Sequence, residues 1–141
     1  MSGCPFCRIV ERQAPGAIVF EDDRSAALMD ICPVYAGHTL VIPRVHYENL
    51  VECPKDLAAH LFMVAAQLGP AVMEATGGTA FNVWTANGVD AGQRVLHLHL
   101  HVLPRFPDDK FGLRFPKGFP AVKDPEELEA MAARIRAAVR I

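Results

Sequence analysis

Gln93-Arg94-Val95-Leu96-His97-Leu98-His99-Leu100-His101-Val102-Leu103-Pro104-Arg105 alternates polar and apolar side chains through its centre. Side chains alternate faces along a strand, so residues 95–103 are expected to form one. His97, His99 and His101 then share one face. Leu96, Leu98, Leu100 and Val102 share the other and turn to the core. An imidazole titrates near neutral pH, so each of the three can act as nucleophile, acid, base or metal ligand. Three readings stand at this point. The face is merely polar, or the three imidazoles hold a catalytic metal, or they form a metal-free catalytic cluster. The straight-line spacing and the lack of a carboxylate nearby count against the metal reading.

Outward from this strand, residues 4–12 suit a short helix that ends before Pro15-Gly16. Residues 17–21, 25–30 and 39–43 read as strands, with a turn at 22–24 and a loop at 33–38. Pro54 and Asp56 mark a helix start, and Gly77-Gly78 its end after Thr76. Leu57, Leu61, Val64 and Leu68 form its apolar stripe. Gly69-Pro70 within it is expected to kink or split the helix. Residues 80–85 read as a strand and 87–92 as a turn. Asp124-Pro125-Glu126-Glu127 caps a helix that runs to about 138. Residues 104–123 are rich in Pro, Phe and Gly, and are long enough to carry function. The expected fold class is α+β: a mainly antiparallel five-stranded sheet with helices packed against it.

With 141 residues, half of them apolar, the chain is expected to be one ordered domain over residues 1–141, with its core in about 4–106 and a tail and helix in 107–141. A net charge of -2 gives no electrostatic reason for a nucleic-acid or membrane partner. No apolar run approaches the roughly 20 residues of a membrane span. Met1-Ser2-Gly3-Cys4 lacks the basic-then-apolar pattern of a secretion signal, so a cytoplasmic location is expected. The four cysteines are then reduced, and Cys4-x-x-Cys7 favours metal or redox chemistry. Cys32 and Cys53 lack paired spacing and read as small hydrophobes. His38 and His60 read as structural or solvent-facing.

The triad segment, preceded by Gly92-Gln93, resembles the signature of the histidine-triad (HIT) family. Cys4-Pro5-Phe6-Cys7-Arg8-Ile9-Val10, Phe20-Glu21-Asp22-Asp23, Asp30-Ile31-Cys32-Pro33 and His38-Thr39-Leu40-Val41-Ile42-Pro43 resemble its upstream stretches, in order. The resemblance implies a HIT-like fold, a homodimer whose sheet continues across the interface, and a purine nucleotide substrate. It also implies hydrolysis at an α-phosphate of a nucleoside phosphoramidate or dinucleoside polyphosphate.

By position in that family, His99 is the nucleophile, His97 offers its main-chain carbonyl to fix the tautomer of His99, and His101 contacts the phosphate or leaving group. The related nucleotidylyltransferases carry Gln at the third position, so His101 points to the hydrolase branch. Asp30 falls where the family binds the ribose hydroxyls. Ile31 lines a base pocket or packs in the core. Gln93, Asn87 and Arg94 complete the substrate side. Arg94 replaces the usual Ser or Thr, and Ala86 replaces a polar amide that Asn87 next to it can supply. Members with the cysteine pair resemble a structural zinc site, one ion per chain, on Cys4, Cys7, His46 and His97. Two alternatives remain: a nucleotide-binding or signalling module with little turnover, and a metal-dependent hydrolase with the triad as ligands.

Overall fold

The structure, a computed structural model, describes residues 3–140. Eight elements follow in chain order: α1 Pro5–Val10, β1 Ile18–Glu21, β2 Ser25–Met29, β3 Thr39–Pro43, α2 Lys55–Thr76, β4 Ala80–Trp84, β5 Leu100–Arg105 and α3 Pro125–Ala138. The five strands form one antiparallel sheet in the order β1-β2-β3-β5-β4. The chain divides into two units, the first ending at Lys110 and the second starting at Phe111. All five strands, α1 and α2 belong to the first, and α3 to the second.

Both faces of the sheet are covered. On one, α2 buries Leu57, Leu61, Val64, Ala65 and Val72 against Ala27, Val41, Leu98, Leu100 and Val102. On the other, Phe6 and Val10 of α1 pack with Ala26, Leu28, Leu40 and Ile42. The stripe on α2 is therefore its core face, as its spacing predicts. Gly77 stops the helix at φ 72°, a left-handed conformation that glycine reaches without steric cost.

The helix continues through Pro70 as one element, so the expected split does not occur. Pro70 is exposed, while Gly69 before it is buried. Packing of α2 on the sheet over many residues outweighs one missing hydrogen bond. By length and composition alone α2 is also apolar enough to cross a membrane, which the sequence reading missed. Its apolar side is occupied by the sheet.

The histidine segment differs from expectation in a second way. Its ladder starts at Leu100, not at 95. Leu100, His101 and Val102 pair with Val41, Leu40 and Thr39. Pro43 at the far end of β3 has no N–H to continue that ladder. The chain after it folds over instead, and Tyr47 O accepts from Leu98 N at 2.7 Å. On the other side the Thr85 hydroxyl donates to His99 O at 2.7 Å. Leu98, Leu100 and Val102 are fully buried, but Leu96, expected in the core, is 47% exposed.

Candidate active site

The last residues before β5 and its first turn carry the triad. A short 3-10 turn, Val89–Ala91, precedes it, and Gly92 at φ 90° redirects the chain into it. Gln93 is buried and holds this turn: its Oε1 accepts from Gly88 N at 2.8 Å, and its Nε2 donates to Glu48 O at 2.6 Å and Val95 O at 3.1 Å. Its amide is thus committed to main chain from three segments, and its place here is to shape the loop.

Each imidazole of the triad has at least one ring nitrogen with a definite partner. His97 Nε2 donates to Pro43 O at 3.0 Å, so its Nδ1 carries the lone pair. His99 Nδ1 donates to His97 O at 2.7 Å, so its lone pair is on Nε2. Val34 N donates to His38 Nδ1 at 3.2 Å, which puts the His38 proton on Nε2. That nitrogen lies 2.9 Å from His101 Nδ1 and donates to it. His101 therefore presents Nε2–H. The result is a bare nitrogen on His99 beside a donor on His101, with ring centroids 4.9 Å apart.

Burial sets the charge. The His101 imidazole is pushed down to about 4 by desolvation first, then by His99 and His38 beside it. Burial likewise lowers His38, against the opposing charge of Asp30. Both are neutral at pH 7. Trp84 stacks flat on His101, 4.4 Å between centroids and 6° between planes. Phe6 meets the His99 and His97 rings edge-on at 5.4 and 5.7 Å.

His38, expected as structural or solvent-facing, is 2% exposed and belongs to this cluster. The register shows why: Leu40 sits opposite His101, so residue 38 on the same face is its diagonal neighbour. A histidine directly before a buried strand was the available signal. Trp84 is opposite His101 on β4, and neither pairing can be read from local sequence. His60 is structural as expected, 2.9 Å from Asp22 Oδ2. Cys53 is buried, but Cys32 is exposed and is not a core residue.

Asp30 lies just after β2. Its Oδ1 accepts from Cys32 N at 2.8 Å, and its Oδ2 is 3.6 Å from His38 Nδ1. Ile31 next to it is 93% exposed, which removes it from the core and leaves it available to a ligand. Asn87 Oδ1 accepts from Leu50 N at 2.9 Å. Arg94 is exposed and borders a shallow depression with Gly3, Cys4, Pro5, Val95 and Leu96. Among the described residues it forms no ion pair.

Cys4, Cys7, His46 and His97 come together, each offering one ligand atom, all within 4.8 Å of one another. His97 Nδ1 is 3.3 Å from Cys4 Sγ and 3.6 Å from Cys7 Sγ, and His46 Nδ1 is 3.4 Å from Cys7 Sγ. Zinc–sulfur and zinc–nitrogen bonds of about 2.3 and 2.0 Å put tetrahedral S···N edges at ~3.5 Å, so the cluster has the size of a metal site. The lone pair of His97 already faces it. Without a metal, burial raises the Cys7 thiol to about 11. A second group, Asp30, His38 and His101, also falls within 4.8 Å, but there two of the three are already bonded to each other.

A five-stranded antiparallel sheet with His97, His99 and His101 clustered at the start of β5 defines a histidine-triad protein. Residues 11–108 match the HIT domain, and the chain belongs to the HIT family. It is 33% identical over 138 residues to adenosine 5'-monophosphoramidase hnt1 of Schizosaccharomyces pombe, covering 97% of this chain and 98% of the other. It is 36% identical over 102 residues to adenylylsulfatase HINT3 of Arabidopsis thaliana, 72% of this chain, and spans only 52% of that protein. The fold is similar to the crystal structure of SMU.412c from Streptococcus mutans, with a TM-score of 0.91 and 36% identity over 99% of this chain and 87% of the other. A zinc-bound histidine-triad protein of Mycobacterium smegmatis matches with a TM-score of 0.76 and 34% identity, over 98% and 99% of the two chains. The HIT fold and the α+β class expected from the sequence are thereby established, as is the branch with an N-terminal Cys-x-x-Cys.

Proposed function

We propose that the protein hydrolyses a nucleotide at its α-phosphate through a covalent nucleotidyl-histidine on His99. The observation that carries this is the 2.7 Å bond from His99 Nδ1–H to His97 O, which places the lone pair of the neutral imidazole on Nε2. Nε2 attacks the α-phosphorus, a phosphorus–nitrogen bond forms, and the leaving group departs with its electron pair. An amine leaving group takes up a proton; a phosphate or sulfate needs none. Water then displaces His99, releasing the nucleoside monophosphate and a proton. His101 Nε2–H donates to a phosphate oxygen, where charge stabilisation has most effect. Asp30 accepts from the ribose hydroxyls, and Ile31 covers the base. Arg94 and Asn87 contact the leaving-group side. A purine phosphoramidate or dinucleoside polyphosphate is the proposed substrate class, and the phosphoramidase activity named for the fission-yeast relative supports the first of these.

Zinc on Cys4, Cys7, His46 and His97 is proposed as structural, a closed four-ligand site without an open position. The triad does not serve as a catalytic ligand set in this reading, because the His97 lone pair faces the cysteines and the His101 lone pair accepts from His38, leaving only that of His99 open. Thiols of this kind persist in a reducing compartment, which supports a cytoplasmic location. A homodimer fits the position of β4 as an edge strand of the sheet and the exposed Phe62 and Met63 on α2.

The test is His99→Ala. Turnover of an adenosine phosphoramidate should be lost while the protein stays folded and still binds the nucleotide. Rapid quench of the wild type should trap an acid-labile, base-stable phosphorus–nitrogen adduct. Retention of a substantial share of the wild-type rate by the variant would remove His99 as nucleophile.

A further inference from the structure

His101 has to aim one N–H at a phosphate oxygen, and a hydrogen bond at a single ring atom does not fix that aim. His38 Nε2–H donates to His101 Nδ1 at 2.9 Å, which holds one edge of the imidazole. The torsion that turns a histidine ring about its Cβ–Cγ bond has broad, shallow minima. A hydrogen bond also tolerates some bend before it weakens. An imidazole held by His38 alone can therefore tilt and carry Nε2–H with it.

The second restraint comes from β4. Trp84 and His101 are directly opposite in the β4–β5 ladder, so their side chains rise from the same face of the sheet. The indole lies on the imidazole with 4.4 Å between centroids and 6° between planes, a stacked arrangement in which the two rings attract. It meets the His38 ring at 5.8 Å and 32°, so its flat contact is with His101. The next residue, Thr85, donates to His99 O at 2.7 Å and ties the end of β4 to the strand that carries the imidazole.

We propose that Trp84 is a positioning residue for His101: its indole sets the plane of the imidazole, His38 sets its tautomer, and the two together aim Nε2–H at the phosphate. The inference rests on the reading that His101 donates to a phosphate oxygen. Trp84 acts through His101 and supplies no proton or electron pair of its own.

The experiment is a set of full-chain variants, Trp84→Leu, Trp84→Phe, His101→Ala and Trp84→Leu with His101→Ala, assayed on an adenosine phosphoramidate. Trp84→Leu removes the flat surface and should lower kcat about 10-fold or more with little change in KM. Trp84→Phe keeps a flat ring and should hold kcat within about 3-fold of wild type. In the His101→Ala background Trp84→Leu should cost less than about 2-fold, because the group it positions is gone. Proton NMR reads the stack without a variant: the His101 ring protons, lying over the indole face, should resonate upfield of their ordinary positions in the wild type. Ordinary positions there would overturn the proposal. So would equal losses in both backgrounds, which mark a structural role, a folded Trp84→Leu variant with wild-type kcat, or a Trp84→Phe variant no better than Trp84→Leu. His101→Ala at the wild-type rate would instead remove the reading of His101 as donor, and the proposal with it.

Discussion

The carbonyl of Pro43 does for His97 what the carbonyl of His97 does for His99: each takes one ring proton and so fixes where the lone pair goes. His38 does the converse for His101: its Nε2–H donates a hydrogen bond to Nδ1, which leaves the His101 proton on Nε2. His38→Ala should therefore lower kcat by about 10- to 100-fold with little change in KM. Steady-state kinetics at saturating nucleotide reads that split. The pKa directions add a stability consequence. His101 sits at about 4 in the folded protein, below the ordinary value of 6.5. Between those values the unfolded chain binds the extra proton, so stability rises with pH across that window and falls as pH drops from 6.5 toward 4. His38 acts in the same direction. His101→Gln should flatten the fall of melting temperature over this range; an unchanged slope would mean His101 is not held neutral by the fold. Asp30→Ala should raise KM for ribonucleotides by more than for a substrate lacking both ribose hydroxyls, and an equal effect on both would make Asp30 structural.

Gly69 and Pro70 are neighbours on α2 with opposite expectations. A Cβ on Gly69 would lie 2.3 Å from the ring of Phe81 on β4. Phe81 is itself packed on the core, so Gly69→Ala should destabilise by about 1–3 kcal/mol. Pro70 is exposed, and its ring removes a hydrogen bond from the helix interior, so Pro70→Ala should stabilise. Chemical denaturation of the two variants checks both signs. The pair also shows what sequence makes legible. The ends of α2, Lys55 and Thr76, follow from local signals: Pro54 before it, Asp56 in its first turn and Gly77 after it. Whether Pro70 breaks it depends on packing with residues far along the chain, and no local pattern contains that. The triad strand behaves in the same way. The alternation of Leu98, Leu100 and Val102 was readable, but where pairing starts is set by Pro43 on another strand. The three triad histidines and the Cys4-Cys7 pair announced themselves by spacing. His38, Trp84 and Phe6 did not, because their link to the site runs through strand register and through α1 lying across the sheet.

For the first unit as a whole, the Cys4-Cys7-His46-His97 cluster joins points 93 residues apart in sequence. An ion held there ties α1 to the end of β3 and to the triad segment at once. A ligand that binds only the folded arrangement stabilises it, and closing long loops is where such a tie gains most. Purified protein should carry about one zinc per chain. Cys4→Ser with Cys7→Ser should lose the metal and lower the melting temperature, by about 4 °C for each ~1 kcal/mol removed at this size. Catalysis should fall as well, through Phe6: it sits between the two thiols in sequence and packs edge-on against the His99 ring. The fall should stay smaller than in His99→Ala, since Nε2 keeps its lone pair through the His97 carbonyl, which needs no metal. A catalytic metal on the triad predicts the reverse pattern. The cysteine double variant would then keep its zinc, and His99→Ala or His101→Ala would release it. Elemental analysis of the three variants beside their rates separates the two, and zinc-free wild type prepared without chelator would dismiss both.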